Sequence, residues 1–156
     1  EAGIPFIFDP GQAMPLFNGK ELTTMIEQST YVTVNDYESN LLQDKTGLST
    51  AQIADRVQSY IITRGPKGSE VHSKGGGEMH IPAATAMRVV DPTGCGDAYR
   101  AGLIYGWMNG MDMATTGRIA SLMGALKIEH LGPQNQRFDY EEFAEQFRQQ
   151  FGYALR

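Results

Sequence analysis

The sequence predicts an α/β fold with a largely parallel sheet, and three observations carry that reading. Short apolar or β-branched runs alternate along the chain with longer segments of helical periodicity, the pattern of strands joined by crossover helices. The first of these runs is continuously apolar rather than alternating, as in a buried strand. With 41% apolar and 20% charged residues over 156 positions, the chain can bury a sizeable core and has the composition of a folded domain.

The elements follow in order. Residues 4–8 form a strand that DPGQ ends, and residues 21–28 form a helix. Residues 31–34, β-branched and aromatic, make a second strand, after which NDYESNLLQ turns helical. Over 48–57, after KTG, Leu48, Ile53 and Val57 stand at near-helical spacing. SYIIT is the next strand and RGPKGS ends it; residues 71–74 and 78–82 then flank Gly75, Gly76 and Gly77 as a β-hairpin. Two helices follow, about 98–109 and 114–130, the second with Ile119, Leu122, Met123 and Leu126 in one stripe. LGPQNQR breaks the pattern. A last amphipathic helix opens on Asp139 and Glu142, spaced as a capping box, with Tyr140, Phe143, Phe147 and Phe151 on one face. The eight methionines, four of them between Met108 and Met123, read as core filler, and Trp107 as packing. No repeat or interior linker interrupts the pattern.

Composition excludes several classes of function. A net charge of -5 and a pI near 5.1 leave no basic surface to track nucleic acid or an anionic membrane. No apolar run approaches the roughly 20 residues of a membrane span. A single cysteine forms no internal disulfide, in keeping with a reducing, cytoplasmic location. The chain opens without an initiator Met or a signal peptide, and its start directly in a strand-like run suggests a fold already under way.

In parallel α/β sheets, ligands sit at the carboxyl ends of strands. Three loops are expected there, after Val34, after Thr63 and after Val90, and all are polar or glycine-rich. The third, DPTGCGDAYRAG at 91–102, is the densest in chemistry. A glycine-rich segment feeding a helix offers unpaired N–H groups at the positive end of the helix dipole, an anion site. Gly94, Cys95 and Gly96 would present them. Neither the Walker A pattern nor G-x-G-x-x-G is matched. Asp97, a carboxylate beside an anion hole, has two readings. It is a general base for an attacking hydroxyl, or it caps the helix while the glycines make a turn.

These residues resemble the signature of the ribokinase (PfkB) family of sugar and nucleoside kinases, usually close to D-T-x-G-A-G-D, with Pro92 and Cys95 as departures. NDYE, residues 35–38, resembles the family's N-x-x-E motif, and TRGPKG, residues 63–68, its T-x-G-x-x-G nucleotide loop. Three weak motifs in order make a strong one, and the resemblance covers essentially the whole chain. It implies a three-layer α/β/α ribokinase-like fold and ATP-dependent phosphoryl transfer, in which positioning and charge stabilisation do most of the catalysis. Asp97 would be the base, and Gly94, Cys95 and Gly96 the anion hole. Asn35 and Glu38 would act on Mg²⁺-bound water and phosphate, Thr63, Gly65 and Gly68 would line the nucleotide site, and Ala120, Gly124 and Gly132 would flank the adenine. Asp91 and Thr93 resemble positions that help hold a monovalent cation, K⁺ being the candidate. The continuation through GRIASLMGALKIEHLGPQNQ looks most like bacterial members labelled adenosine kinase.

Other residues read more plainly. Cys95 lacks a neighbouring His to make it a nucleophile, and His72, His80 and His130 show no metal-ligand spacing. Arg100 reads as an exposed helix arginine, with a phosphate site as the alternative; Arg64 and Lys67 divide the same way between solvated charges and phosphate contacts. Asp9 and Gln12 end a strand, and the sequence leaves open whether they border the site. Family members are about twice this length, so residues 1–156 are expected to be the carboxyl-terminal, ATP-binding part. The amino-terminal substrate and lid part would be absent, leaving an open sheet edge for that half or a homodimer partner to cover. Two readings of function follow: the catalytic half of a nucleoside or sugar kinase, or a nucleotide-binding or structural fragment that transfers nothing.

Overall fold

The computed structural model describes residues 3–155, which divide into two units: 3–65 with Ser69–His80, and Pro66–Gly68 with 81–155. The first unit is built on a five-stranded sheet in the order β1 (Ile7–Phe8), β2 (Tyr31–Asn35), β3 (Ser59–Thr63), β4 (Ser69–Ser73), β5 (Gly77–Ile81). β1, β2 and β3 are parallel and β4 runs antiparallel to β3. The helices α1 (Gly19–Gln28), α2 (Asp36–Thr46) and α3 (Thr50–Ala54) fall in the connections between parallel strands, as crossover geometry requires.

Local chemistry sets each helix start. Asn18 accepts the Glu21 N–H at 3.0 Å while Glu21 accepts the Asn18 N–H at 2.8 Å, so α1 begins at Gly19, two residues before the expected 21. At Gly19 a Cβ would lie 1.9 Å from the Lys45 carbonyl oxygen, so only glycine lets α1 start against the end of α2. Ser49 and Gln52 cap α3 in the same reciprocal way; α3 spans only Thr50–Ala54, shorter than the expected 48–57, though Val57 is still buried. Behind the sheet Leu22, Ile26, Val32, Val34, Leu42, Ile53, Tyr60 and Ile62 form one core, each large aliphatic contributing about 1.5–3 kcal/mol by burial. The Tyr60 hydroxyl inside it donates to Ser39 Oγ at 2.8 Å, and burial pushes its pKa up to about 12.

The second unit is helical: α4 (Cys95–Met108), α5 (Met113–Ile128) and α6 (Tyr140–Phe151). A Cβ on Gly102 would come within 2.5 Å of Ala120 Cα, and one on Gly106 within 2.4 Å of Thr116 Oγ1. These two glycines let α4 and α5 approach closely. Phe143 and Phe147 of α6 pack with Ile119, Leu122, Leu126 and Leu155, and the Phe147 and Tyr153 rings meet edge-on at 5.2 Å.

Several expectations are corrected. β1 is confined to Ile7–Phe8, because Pro5 cannot donate to a ladder and Ile4 is exposed. The hairpin strands are β4 and β5, beginning at Ser69 and Gly77 rather than at 71 and 78. Among the described residues no strand leads directly into Asp91: the N–H groups of Val90 and Asp91 both go to the Ile128 carbonyl, at 2.8 and 3.1 Å, and Val89 is 76% exposed. α4 starts at Cys95, three residues before the expected 98, and α5 ends at Ile128 rather than 130. Tyr140 and Met108 are exposed, so neither the whole aromatic face nor all the methionines serve the core. Among the described residues no helix is long and apolar enough to cross a membrane.

Candidate active site

The first turn of α4 sits on a glycine that no other residue could replace without strain. Gly94 is the N-cap, in the left-handed region at φ +83°, and a Cβ there would lie 2.9 Å from Pro133 Cβ. The Cys95 N–H turns back to the Pro92 carbonyl at 3.1 Å, and the helical ladder begins with Ala98 N–H to Gly94 at 2.9 Å. That leaves Gly96 and Asp97 to present N–H groups that have no acceptor one turn earlier. Cys95, expected among the anion donors, has spent its N–H on the turn. No side chain caps α4, whereas α1, α2, α3, α5 and α6 all carry one.

Asp97 is therefore the third helical residue and not the cap. Its carboxylate is exposed (77%) and accepts from Arg100 Nη2 at 2.7 Å. Arg100 is half-buried rather than the expected exposed residue, and its guanidinium lies 3.2 Å from where a Gly96 Cβ would stand. A charge-matched carboxylate and guanidinium thus flank the open helix end.

Behind the loop, Asp91 anchors two segments. Its Oδ1 accepts the Thr93 N–H at 2.9 Å and its Oδ2 accepts the Gly132 N–H at 2.8 Å. The Thr93 N–H and hydroxyl, then the Gly132 N–H and the Lys127 charge, pull its carboxyl down to about 2. Its backbone carbonyl accepts from Lys127 Nζ at 2.7 Å, and Lys127 Nζ also donates to the His130 carbonyl at 3.0 Å. Burial pushes the Cys95 thiol up, with Lys127 opposing, which is the reverse of what a nucleophilic cysteine needs. Gly124 of α5 abuts this loop, its would-be Cβ 3.7 Å from the Cys95 carbonyl oxygen. Ala120, expected to flank adenine, is fully buried against Gly102. Gly132, expected beside it, holds Asp91.

In the first unit the strand register places Asn35 opposite Thr63 at the carboxyl ends of β2 and β3. NDYE is a capping box: Asn35 Oδ1 accepts the Glu38 N–H at 2.7 Å and Glu38 Oε2 accepts the Asn35 N–H at 2.9 Å. Glu38 keeps its second oxygen for a water, so a hydrated Mg²⁺ fits that carboxylate. Thr63 Oγ1 donates to the Val34 carbonyl at 3.3 Å, and Gly65 takes φ +54° in the turn that follows. Gly68, which belongs to the second unit, is required where it stands, since a Cβ would fall 2.1 Å from the Ile81 carbonyl oxygen. Arg64 is matched by Glu70 at 2.7 Å. Glu70, His72 and Glu78 bring one ligand atom each to within 4.8 Å of one another, a proximity that sequence spacing did not reveal.

Comparison with known proteins decides the family. The profile of the pfkB family of carbohydrate kinases matches residues 2–138. The chain belongs to that family. A nucleoside kinase of Methanocaldococcus jannaschii is 32% identical over 127 residues, 81% of this chain and 42% of that protein. A Bacillus subtilis ribokinase is 32% identical over 131 residues, 84% of this chain and 42% of that one. The nucleoside kinase of Burkholderia thailandensis, solved with inosine, superimposes with a TM-score of 0.96 at 55% identity, covering 99% of this chain and 50% of that one. Its complex described as ADP-inosine gives 0.95 at 56% identity, covering 98% and 48%. The fold is thus ribokinase-like, and the chain spans about half the length of the pfkB relatives it matches.

Within this pfkB chain, Lys127 is the polar residue that sequence reasoning missed. It is among the largest fully buried side chains, on an apolar helix between Leu126 and Ile128. A lysine inside the stripe ALKI was the available signal, since long charged side chains are almost never fully buried unless paired. The expected monovalent-cation site does not fit these residues. The Asp91 carbonyl is taken by Lys127, and both Asp91 carboxylate oxygens accept backbone N–H groups.

Proposed function

We propose that the protein transfers the γ-phosphoryl group of ATP to a hydroxyl group of a nucleoside, adenosine-like acceptors being the first choice. The observation that carries this reading is the uncapped amino terminus of α4 with the Asp97 carboxylate in its first turn. Open N–H groups at a helix terminus stabilise charge on a transferring phosphoryl group. The carboxylate in that same turn takes the proton of the attacking hydroxyl.

In this reading Gly96 and Asp97 supply the N–H groups, Gly94 gives the loop its left-handed turn, and Cys95 is a small residue that fits. Arg100 holds the Asp97 side chain and adds positive charge beside the anion. Glu38, oriented by Asn35, accepts from a water of the Mg²⁺ shell. When bound, that cation neutralises phosphate charge. Thr63, Gly65 and Gly68 border the nucleotide, and Gly124 supports the loop from behind. The chain is then the carboxyl-terminal, ATP-binding and catalytic part, and the acceptor pocket and lid lie in the rest of the complete protein or against a second copy.

Two relatives named nucleoside kinase support a nucleoside acceptor. The ribokinase at equal identity favours a sugar as the second reading. The test is ATP-dependent phosphorylation by the complete protein of adenosine, inosine, ribose and fructose 6-phosphate in parallel. Nucleosides are expected to lead in kcat/KM. Preference for a free sugar would move the acceptor class, and no transfer to any of the four would leave a nucleotide-binding or structural role.

A further inference from the structure

Lys127 is an anomaly that the proposed transfer does not use. Its side chain is fully buried, and its ammonium donates to the carbonyl oxygens of Asp91 at 2.7 Å and His130 at 3.0 Å. The Asp91 carboxylate also feels its charge, as does the Cys95 thiol one turn into the loop. Burying an ammonium is unfavourable unless oxygen dipoles and an opposite charge surround it, and here both are supplied. Backbone carbonyls with one carboxylate beside them are also what a weakly hydrated monovalent cation requires.

The two segments that Lys127 joins matter equally. Asp91 leads directly into the Gly94 turn, and His130 leads into Gly132 and Pro133, which packs on Gly94. Val90 and Asp91 N–H groups add two bonds to Ile128. One positive centre therefore sits where carbonyls from both segments converge, and it fixes the loop that precedes α4. Because the charge is covalently tethered to α5, no free ion has to be captured and ordered.

We propose that the Lys127 ammonium is a built-in cation that takes the place of a bound monovalent ion beneath the 91–97 loop, making the protein indifferent to K⁺. Lys127 is a positioning residue: it touches neither acceptor nor nucleotide and acts through Asp91 and the loop. The inference stands independently of which acceptor is phosphorylated, because its first readout is thermal.

The test compares the complete protein in KCl, NaCl and choline chloride at constant ionic strength, by thermal unfolding and by initial rate where a substrate is turned over. Wild type is expected to melt within about 1 °C across the three salts, since no cation binds to shift the equilibrium. Its rate is expected to stay within about two-fold. A melting rise of about 3 °C or more in KCl over choline, or activation by K⁺ alone, overturns the proposal. Lys127→Ala opens the space. It is expected to melt lower and run about ten-fold slower in choline, on the scale of one lost charge contact, and to recover in part with K⁺ but not with choline. A folded variant equally impaired in all three salts also overturns it, because a packing role alone gives no ion-specific rescue. If the variant does not fold, the wild-type salt series decides.

Discussion

The amino termini of α2 and α4 make opposite use of the same backbone problem. Both begin at motifs that the sequence marks as chemical, α2 directly from the end of β2 and α4 from a loop, and both leave helical N–H groups without carbonyl partners. At α2 the problem is closed within four residues: Asn35 and Glu38 exchange side chain and backbone in both directions. At α4 it stays open, with a glycine at the cap and Asp97 turned away to Arg100. A capping box stabilises by about 1 kcal/mol; at α4 that stabilisation is forgone, and Asp91, Lys127 and Pro133 hold the loop instead. A helix end that is held firmly from behind but uncapped in front is suited to an anion that comes and goes.

The largest expected effect tests the open end directly. Asp97→Asn keeps size and hydrogen bonding but removes the proton acceptor. It should lower kcat of the complete protein by about 10³-fold, within the 10²–10⁴ range of general-base catalysis, with nucleotide binding by calorimetry unchanged. Unaltered turnover would falsify the base.

Next comes the turn itself. Gly94→Ala forces a side chain into the left-handed region and against Pro133, at a cost of about 2 kcal/mol for the conformation alone. Melting of the complete protein should fall by about 4–8 °C. A variant as stable as wild type would mean that the loop relaxes and that its shape is not fixed by the segment behind it.

How much of this was legible follows from how local each cause is. β2, β3 and the Asp139–Glu142 capping box of α6 were readable because their signals lie within a few adjacent residues. So were the three motifs, since short-range spacing is what their chemistry demands. The start of α4 was placed too late because Gly and Cys are poor helix formers, and this turn forms by packing on α5 and on Pro133. The loop after Val90 was expected at a strand's end, but the N–H groups of Val90 and Asp91 go to the Ile128 carbonyl at the end of α5 instead of to a ladder. Lys127 and the half-buried Arg100 depend on partners that only the fold brings near. So does Glu78 beside Glu70 and His72, across a hairpin rather than along one strand.

The closed end can be split into its two roles, because glutamine satisfies a capping box as well as glutamate. Glu38→Gln should leave melting nearly unchanged, within about 0.5 kcal/mol, while raising the Mg²⁺ concentration for half-maximal rate about ten-fold, equal to about 1.4 kcal/mol. Asn35→Ala should do the reverse in kind, lowering stability by about 1 kcal/mol. If Glu38→Gln leaves the Mg²⁺ dependence where it was, the motif is a cap and nothing more.

The smallest effect extends the comparison to a third helix start, α5, whose cap is a single charged residue. Asp112 accepts the Thr115 hydroxyl at 2.7 Å and the Thr115 N–H at 2.9 Å. The hydroxyl first and then the N–H hold its carboxyl below the usual range. A carboxylate lowered on folding contributes stability that is present in full above its unfolded pKa, near 4, and fades as pH falls through the folded value. Asp112→Asn keeps the acceptor oxygen and removes the charge at the positive end of the helix. At pH 7 wild type should therefore be the more stable by about 0.5 kcal/mol, the scale of a charge on a helix dipole. That margin should shrink as pH falls below about 4, the unfolded pKa, and Asp112 protonates. A margin that stays constant over that fall would place the contribution of Asp112 in its hydrogen bonds alone. α4, with no titrating cap, would then differ from α5 only in having an open end.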